Sequence, residues 1–407
     1  MKRTVSFLLS IYLFFGMFVN AFALSSFVTI STFIAFVLVL FYFILLCFSQ
    51  VKIQRRDNYF LALFWVVLTF SSILFSRGSK CFNHYIMWSF SFFVFYYVFK
   101  ALVLYLLDFK TKLLPTIFNT LSLSVFLASI FAIIEFVLIN SFGITLENIV
   151  PRGTVEEYTP LAFNYIRARS FMEESGQFAL FLEIFAPITT VWIFINVKYK
   201  IIRYLYISVV IISLFLSFSA FGLVAFAIAL LIYLGYLISS AKNMNSFLVK
   251  LFLICVVFAL IIIIFSYFLE MAYQIIVTKL DSDNASLSDR TSRVDGLEYF
   301  LTGINLIIGY GAAAFSTLNI PSFISLYIGI LMSTGILGVG LFFCFLLKSF
   351  KSMLKIRDKR MRWAFVTAFV ISSIHFCFVD LIYVSWYWTM LALACVLSMK
   401  ENLLSND

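Results

Sequence analysis

The N-terminal region carries no charged residue from Thr4 to Gln50, where it reads TVSFLLSIYLFFGMFVNAFALSSFVTISTFIAFVLVLFYFILLCFSQ. A helix of about 20 apolar residues crosses a bilayer. The stretch is therefore long enough for two membrane-spanning helices, which we predict near residues 5–23 and 27–48. It is flanked by the basic residues Lys2, Arg3, Lys52, Arg55 and Arg56, and basic residues of this kind mark the ends of spans.

The same pattern continues to the C-terminus. Hydrophobic residues make up 63% of the 407 positions and charged residues only 12%, against about 25% charged residues in soluble domains. Further spans are predicted near 59–76, 82–106, 113–139, 178–197, 204–218, 222–240, 249–269, 323–347, 363–381 and 383–399. The sequence thus predicts an all-α, polytopic membrane protein, a single membrane domain over 1–407 with about twelve transmembrane helices.

The basic residues predict the orientation. With the N-terminus inside, most of the 29 Lys and Arg residues fall in cytoplasmic connections, as the positive-inside rule requires. Both termini are then cytoplasmic, and the net charge of +10 reports topology rather than a nucleic-acid partner. Met1–Arg3 and Ala21–Ala23 also fit a secretory signal with a cleavage site, but in a polytopic chain they more often form a first span. The outer basic residues are Arg77, Lys80, Arg152, Arg167, Arg169, Lys279, Arg290 and Arg293.

Two long connections, 141–177 and 270–322, lie outside in this topology, and both are acidic. Long loops without secondary structure of their own are often functional. The six cysteines form no CxxC pair, so neither a metal site nor a disulfide framework is expected. We therefore expect the active surface to face outward and to use no metal or cofactor.

The first outer connection ends in Arg167-Ala168-Arg169-Ser170-Phe171-Met172-Glu173-Glu174, directly before an apolar helix. A guanidinium group binds phosphate oxygens through two parallel hydrogen bonds, and a carboxylate accepts a proton from a hydroxyl. The segment is therefore a candidate anion-binding and catalytic site. The alternative interpretation is a solvated interfacial turn with local salt bridges.

The second outer connection contains Arg290 and Arg293, and apolar residues then recur at helical spacing from Val294 to Ile308. This pattern predicts an amphipathic helix lying along the membrane surface. Gly309-Tyr310-Gly311 follows it and permits a sharp turn or a close approach to a ligand. It does not match a dinucleotide-binding motif, because the third glycine and a preceding strand are missing.

Four ionisable residues lie inside predicted spans, namely Glu135, Glu183, His375 and Asp380. Such residues usually face the interior of the bundle and mark a pathway or site. Glu135 and Asp380 are near outer ends, where we expect them to reach water. His375 is a candidate proton carrier, or alternatively a hydrogen-bonded packing histidine.

Together these motifs resemble the O-antigen polymerase and ligase superfamily over about residues 165–345. The matching features are the outer arginine pair before Ser170-Phe171 and a glutamate, Ser292-Arg293 before the amphipathic segment, Gly309-Tyr310-Gly311, and Gly335-Ile336-Leu337-Gly338. Members of that superfamily have a proline after the glutamate, whereas Ser175 follows Glu174 here, so Glu173 and Glu174 both stay candidates.

The resemblance implies a glycosyltransferase of the bacterial cytoplasmic (inner) membrane that uses an undecaprenyl-pyrophosphate-linked glycan as donor and a second glycan as acceptor. It implies that Arg167, Arg169, Arg290 and Arg293 bind the pyrophosphate. A glutamate, Glu173 or Glu174, or else His375, would act as base. A chain-length regulator and a flippase of the same pathway are the implied protein partners, with membrane lipid around the bundle.

Ligases of this superfamily carry a histidine followed by Asn, Ser or Gln, with nine residues between that pair and a Gly-x-x-Gly. Ile324-Ser325 occupies the positions of the pair here, so the histidine is missing. The resemblance therefore favours a polymerase of surface polysaccharide such as O-antigen. The alternatives are a ligase-type glycan transferase and a non-enzymatic flippase for lipid-linked oligosaccharides. Flippases of this size usually contain internal repeats and short loops on both faces, and the sequence shows neither.

The predicted topology places both long connections on the outer side of the membrane, where an added reagent can reach them. Cysteines introduced at Glu156 and Asp283 should react with an impermeant thiol reagent on intact cells or spheroplasts. Labelling that occurs only after lysis would overturn the predicted orientation.

Overall fold

A computed structural model describes residues 1–19, 21–22, 29–48, 51, 59–108, 112–147, 149–152, 161–162, 165–239, 248–249, 251–252, 297, 301–320, 322–323 and 325–399. This part of the chain is almost entirely helical. Its helices are α1 (Lys2–Phe15), α2 (Ile30–Cys47), α3 (Tyr59–Phe75), α4 (Gly78–Phe90), α5 (Phe99–Leu107), α6 (Leu113–Phe142), α7 (Ser175–Asn196), α8 (Lys200–Leu216), α9 (Ala220–Ser239), α10 (Gly303–Ile308), α11 (Ala314–Thr317), α12 (Leu326–Leu354), α13 (Lys359–His375) and α14 (Ser385–Met399). A π-helical segment, Ser91–Val98, joins α4 to α5. Two short strands, β1 (Leu161–Ala162) and β2 (Tyr165–Ile166), pair antiparallel with Leu161 opposite Ile166.

The helical class predicted from the apolar runs is confirmed. Among the described residues, five helical stretches are long and apolar enough to cross a membrane: Ile30–Cys47, Gly78–Leu107, Leu113–Phe142, Ser175–Asn196 and Leu326–Leu354. Helix α1 is shorter than the predicted span 5–23, because the chain turns after Phe15. The predicted span 249–269 lies almost wholly outside the described residues. The total of about twelve spans and their sidedness stay predictions.

The outer surface of the helices is apolar. Phe33 on α2, Ile73 on α3 and Ile201 on α8 are each more than half exposed, as are many other large apolar side chains. A water-soluble protein rarely exposes contiguous apolar surface on this scale. Helices are also the natural spanning element, because they satisfy their backbone hydrogen bonds internally. The surface therefore suits contact with lipid.

Helix α14 forms the centre of the bundle. Its residues from Ser385 to Leu397 are buried on all sides, as expected of a helix that is apolar around its whole circumference. The two tryptophans anchor it, because Trp386 Nε1–H donates to the carbonyl of Gly16 at 2.6 Å and Trp388 Nε1–H donates to the carbonyl of Ile382 at 2.6 Å. Both indole N–H groups thus have partners inside the apolar core, as buried tryptophans normally do.

Helix α12 is broken in its middle at Gly335, whose φ of 63° and ψ of −169° are not helical. The break removes the intrahelical donors for the carbonyls of Met332 and Ser333. The turn after α10 replaces them, since the N–H groups of Tyr310 and Gly311 donate to those carbonyls at 2.8 and 2.9 Å. The two glycine motifs noted in the sequence therefore meet and complete each other's backbone hydrogen bonding.

The segment before this turn differs from the prediction. The prediction of a continuous amphipathic helix to Ile308 is wrong at the C-terminal end of that helix. Leu301 and Thr302 are not helical, and α10 begins only at Gly303. Gly303 has a φ of 55°, a left-handed conformation that interrupts a helix. Most of the remaining predicted helix lies outside the described residues.

Because the two glycine motifs cross closely, we expect that Gly309 cannot be replaced by a residue with a side chain. Its φ is 73°, and a Cβ there would overlap the backbone of Ser333 and Thr334. We expect Gly309→Ala to destabilise the protein by about 1–3 kcal/mol through backbone strain alone. The measurement is thermal unfolding of the purified protein in detergent.

The matched control is Gly340→Ala on α12, where a Cβ would meet no atom within 4 Å. Alanine is favoured over glycine inside a helix by about 1 kcal/mol, so this variant should be as stable as the wild type or more so. Equal unfolding temperatures for the two variants would contradict the proposed crossing.

Candidate functional site

The carboxylate of Glu135 on α6 organises the first predicted site. Its Oε2 atom accepts the backbone N–H groups of Arg169 and Ser170 at 2.9 and 2.8 Å, and its Oε1 atom is ion-paired with Arg152. Glu135 is completely buried. An ionised carboxylate in such a place is stable only when it is paired and hydrogen-bonded, and here both oxygens are occupied.

The local backbone is built for this contact. Ser170 has a φ of 54°, an uncommon conformation for a residue other than glycine. Two successive backbone N–H groups consequently point at one carboxylate oxygen, as in backbone anion-binding nests. The Ser170 hydroxyl donates to the carbonyl of Ala128 on α6 at 2.8 Å. The connection before α7 is thereby fixed to α6.

Arg152 and Arg169 link the remaining groups of the site. Arg152 donates to the Ser170 carbonyl through Nε at 3.0 Å and through Nη2 at 2.6 Å, and Nη1 reaches Glu147 Oε1 at 2.6 Å. Arg169 is ion-paired with the same oxygen of Glu147 and donates through Nη1 to the carbonyl of Glu173 at 3.1 Å. Both arginines are almost fully buried, so their planes are held in fixed orientations.

We refer to Glu135, Glu147, Arg152, Arg169 and Ser170 as the Glu135 cluster. The two predicted carboxylates lie directly beside it, at the start of α7. Burial raises the pKa of Glu173, the charge of Glu174 raises it further, and Arg169 opposes the rise. A raised pKa brings this carboxyl group closer to the range in which a general base exchanges protons near neutral pH.

His375 lies at the end of α13 and pairs with Glu183 on α7. Its Nδ1 atom is 2.8 and 2.9 Å from the two carboxylate oxygens, and both side chains are almost fully buried. An ionised Glu183 offers only acceptors, so Nδ1 carries the hydrogen and donates to both oxygens. The contact with both oxygens fixes the orientation of the histidine ring. On α7, Pro187 follows one helical turn after Glu183 and lacks the N–H that would bond the Glu183 carbonyl.

The structure brings some of the predicted site residues together. Arg167, Arg169, Glu173 and Glu174 share the segment between β2 and α7, whereas His375 is held by Glu183. Arg290 and Arg293 lie outside the described residues. The expectation that Glu135 reaches water is wrong, because Arg152 and the two backbone N–H groups enclose it. A glutamate within an apolar run and an arginine in the connection that follows it were the available sequence signals for this pair.

No protein-family model matches the chain, and no curated protein sequence matches it either. The interpretation of the site therefore depends on its own chemistry. Among the described residues, no group of three or more His, Cys, Asp or Glu side chains is arranged to hold a metal ion. What the site offers is a set of oriented guanidinium groups, neighbouring carboxylates and backbone N–H donors.

Because the ion pair between Arg152 and Glu135 is buried, removing one partner should lower the stability of the fold strongly. Arg152→Ala leaves the charge of Glu135 uncompensated inside the bundle, and breaking a buried pair in this way costs about 3–5 kcal/mol. We expect a clear drop in unfolding temperature in detergent. Adding Glu135→Gln to Arg152→Ala should recover part of the loss, because the neutral amide oxygen still accepts the two backbone N–H groups.

Arg360→Ala is the matched control. Arg360 is paired with Asp358 at 3.5 Å, and more than half of its side chain is exposed, so this pair contributes only about 0–1 kcal/mol. If both single variants unfolded at the same temperature, the Glu135 cluster would not stabilise the fold.

Proposed function

We propose that this chain is a membrane glycosyltransferase that polymerises undecaprenyl-pyrophosphate-linked oligosaccharide repeat units into a surface polysaccharide, on the outer face of the bacterial cytoplasmic membrane. One observation carries the proposal: buried, oriented arginines and adjacent carboxylates lie where the connection after α6 enters the apolar helix α7. Charged groups inside a membrane bundle are costly and usually mark a substrate site.

Arg169 and its neighbours supply what a pyrophosphate leaving group needs. The guanidinium of Arg169 is already oriented by Glu147 and by the Glu173 carbonyl, so little reorganisation is required when negative charge develops on a leaving phosphate. Arg167 is two residues earlier and only partly buried, at the edge of the same cluster. Arg290 and Arg293 join the set on the strength of the sequence alone.

The proposed reaction needs no metal. An acceptor hydroxyl oxygen attacks the anomeric carbon of the donor sugar, and the bond from that carbon to the pyrophosphate oxygen breaks. The lipid pyrophosphate leaves with the bonding electron pair, while a carboxylate accepts the hydroxyl proton. Glu173, Glu174 and His375 are the acceptors that the sequence proposes. The apolar outer surface of the bundle suits the prenyl chain of the donor, which stays in the lipid.

A deletion strain distinguishes this function from its rivals. Without a polymerase, cells should still export single repeat units and attach them to the final acceptor, so a gel should show one short band in place of a ladder. Loss of all surface glycan with lipid-linked units trapped inside would indicate a flippase. Polymer that accumulates without attachment would indicate a ligase.

Substitutions of Arg169 and Arg293 test the pyrophosphate contact. Lysine cannot reproduce the two-pronged hydrogen bonding of arginine, so Arg169→Lys and Arg293→Lys should shorten the ladder, and the alanine variants should shorten it more. Losing a charge-assisted contact of this kind costs about 2–4 kcal/mol, or roughly 30-fold to 1000-fold in rate. The measurement is the glycan ladder at membrane abundances matched by immunoblot.

Arg360→Ala, an exposed arginine at the start of α13, is the control and should give a normal ladder. Normal ladders in both alanine variants would remove Arg169 and Arg293 from the mechanism and leave Arg167 and Arg290 as the next candidates.

A further inference from the structure

A small recess lies where α4, α11, α12 and the connection between α13 and α14 meet. Its wall includes His84, Trp88, Phe315, Phe323, Asp380 and Tyr383, and we refer to it as the Asp380 recess. Helix α4, which carries Trp88, continues directly into the π-helical segment at Ser91. Short π-helical segments within α-helices occur frequently at functional sites.

Asp380 supplies the reactive group of this recess. Its side chain is partly exposed, but its Oδ1 atom is enclosed and has no hydrogen-bond partner in the part of the chain that the structure describes. Its Oδ2 atom lies only 3.0 Å from where a Cβ on Gly329 would be, so the carboxyl group is packed closely against α12. A buried polar atom without a partner is unfavourable, which points to a donor supplied from outside the chain.

The environment of Asp380 suits proton transfer near neutral pH. The structure ends α13 at His375, so Asp380 lies in the connection beyond the helix rather than inside a span. Burial raises its pKa to about 7, although the backbone N–H of Ile382 favours the charged form. A carboxyl group with this pKa is available as a base at physiological pH and readily accepts a proton.

We propose that the Asp380 recess receives the reacting hydroxyl group of the acceptor sugar and that Asp380, rather than Glu173, Glu174 or His375, is the general base for it. This inference rests on the proposed function and names the acceptor subsite for it. Trp88 and Phe323 are almost fully buried, and they keep the wall of the recess apolar around the carboxyl group. His84 and Tyr383 add polar atoms at the edge of the recess for the remaining hydroxyl groups.

With Asp380 as the base, each bond and each proton of the glycosyl transfer is accounted for. The acceptor hydroxyl donates to the carboxylate, its oxygen forms the new bond to the anomeric carbon, and its proton passes to Asp380. The bond from the anomeric carbon to the lipid pyrophosphate breaks, and the electron pair leaves with the pyrophosphate. The protonated Asp380 then loses its proton to water, so no other reactant is consumed.

The other buried carboxylates are already engaged. Glu135 is bound by Arg152 and two backbone N–H groups, and Glu183 is bound by His375. Burial raises the pKa of Tyr383, and the charges of Asp380, Glu173 and Glu174 raise it further, so these groups are close enough to interact. Donor and acceptor sites are therefore adjacent.

The charged and titratable groups that face Asp380 define the expected pH dependence. His84 on α4 and Tyr383 in the same connection line the recess with Asp380. Lys80 acts on His84, and Glu173 and Glu174 act on Tyr383. Since Asp380 must be ionised to accept a proton, the rate should fall as the pH drops below about 7. The residual rate of Asp380→Asn should lack this fall.

The test uses the purified full-length protein with a lipid-linked repeat unit, together with ladders from the complemented deletion strain. Asp380→Asn should slow chain extension about 100-fold to 10,000-fold, the usual contribution of a general base. Asp358→Asn is the matched control and should extend chains normally. It makes the same chemical change at the N-cap of α13, where asparagine and aspartate are equally effective.

Asp380→Ala with added formate separates a catalytic from a structural role. Formate can enter the space left by the side chain, so it should restore a measurable part of the extension rate. A normal rate for Asp380→Asn, or no rescue of Asp380→Ala by formate, would overturn the role of Asp380. Neither result would affect the proposed polymerase function, which fails separately if the deletion strain still makes a ladder.

Discussion

The carboxylate of Glu135 has to be neutralised inside an apolar bundle, and the organisation of the connection between α6 and α7 follows from that requirement. Arg152 and the N–H groups of Arg169 and Ser170 bind it, and Arg152 also donates to the Ser170 carbonyl. These contacts pull the connection back against α6. They thereby set the orientation of Arg169 and the position at which α7 begins, with Glu173 and Glu174 directly before it.

The break in α12 shows the same requirement for buried polar groups to have partners, here for backbone carbonyls. A carbonyl that loses its intrahelical donor within a membrane bundle must find another, because lipid offers none. The turn Gly309-Tyr310-Gly311 provides the donors for Met332 and Ser333, and only glycine at 309 permits the close approach. This contact also brings the chain that follows the turn, with Phe315, against α4 and α12. The walls of the Asp380 recess therefore depend on a backbone contact between segments that are distant in sequence.

The sequence predicted the helices well, because apolar runs between charges are a local signal. It did not predict their partners. Glu183 and His375 were each recognised as unusual, but they are separated by 192 residues, and no local pattern indicates that they pair. Glu135 was expected to reach water from its position near a helix end, whereas Arg152 and a left-handed residue at 170 enclose it. The glycine motifs at 309–311 and 335–338 were both noted, yet their crossing depends on tertiary packing.

Glu135, Glu183 and Asp380 differ in what already neutralises them, and the chemistry we infer for each follows from that difference. Glu135 is bound by an arginine and two backbone N–H groups, so both of its oxygens are occupied and it serves as an anchor. Glu183 holds the ring of His375, and both of its oxygens lie within hydrogen-bond distance of Nδ1. Asp380 has no such cation among the described residues and keeps one enclosed oxygen without a donor. Because proton transfer requires a carboxylate whose lone pair is still available, the weakest-paired acid is the one best suited to meet a substrate hydroxyl.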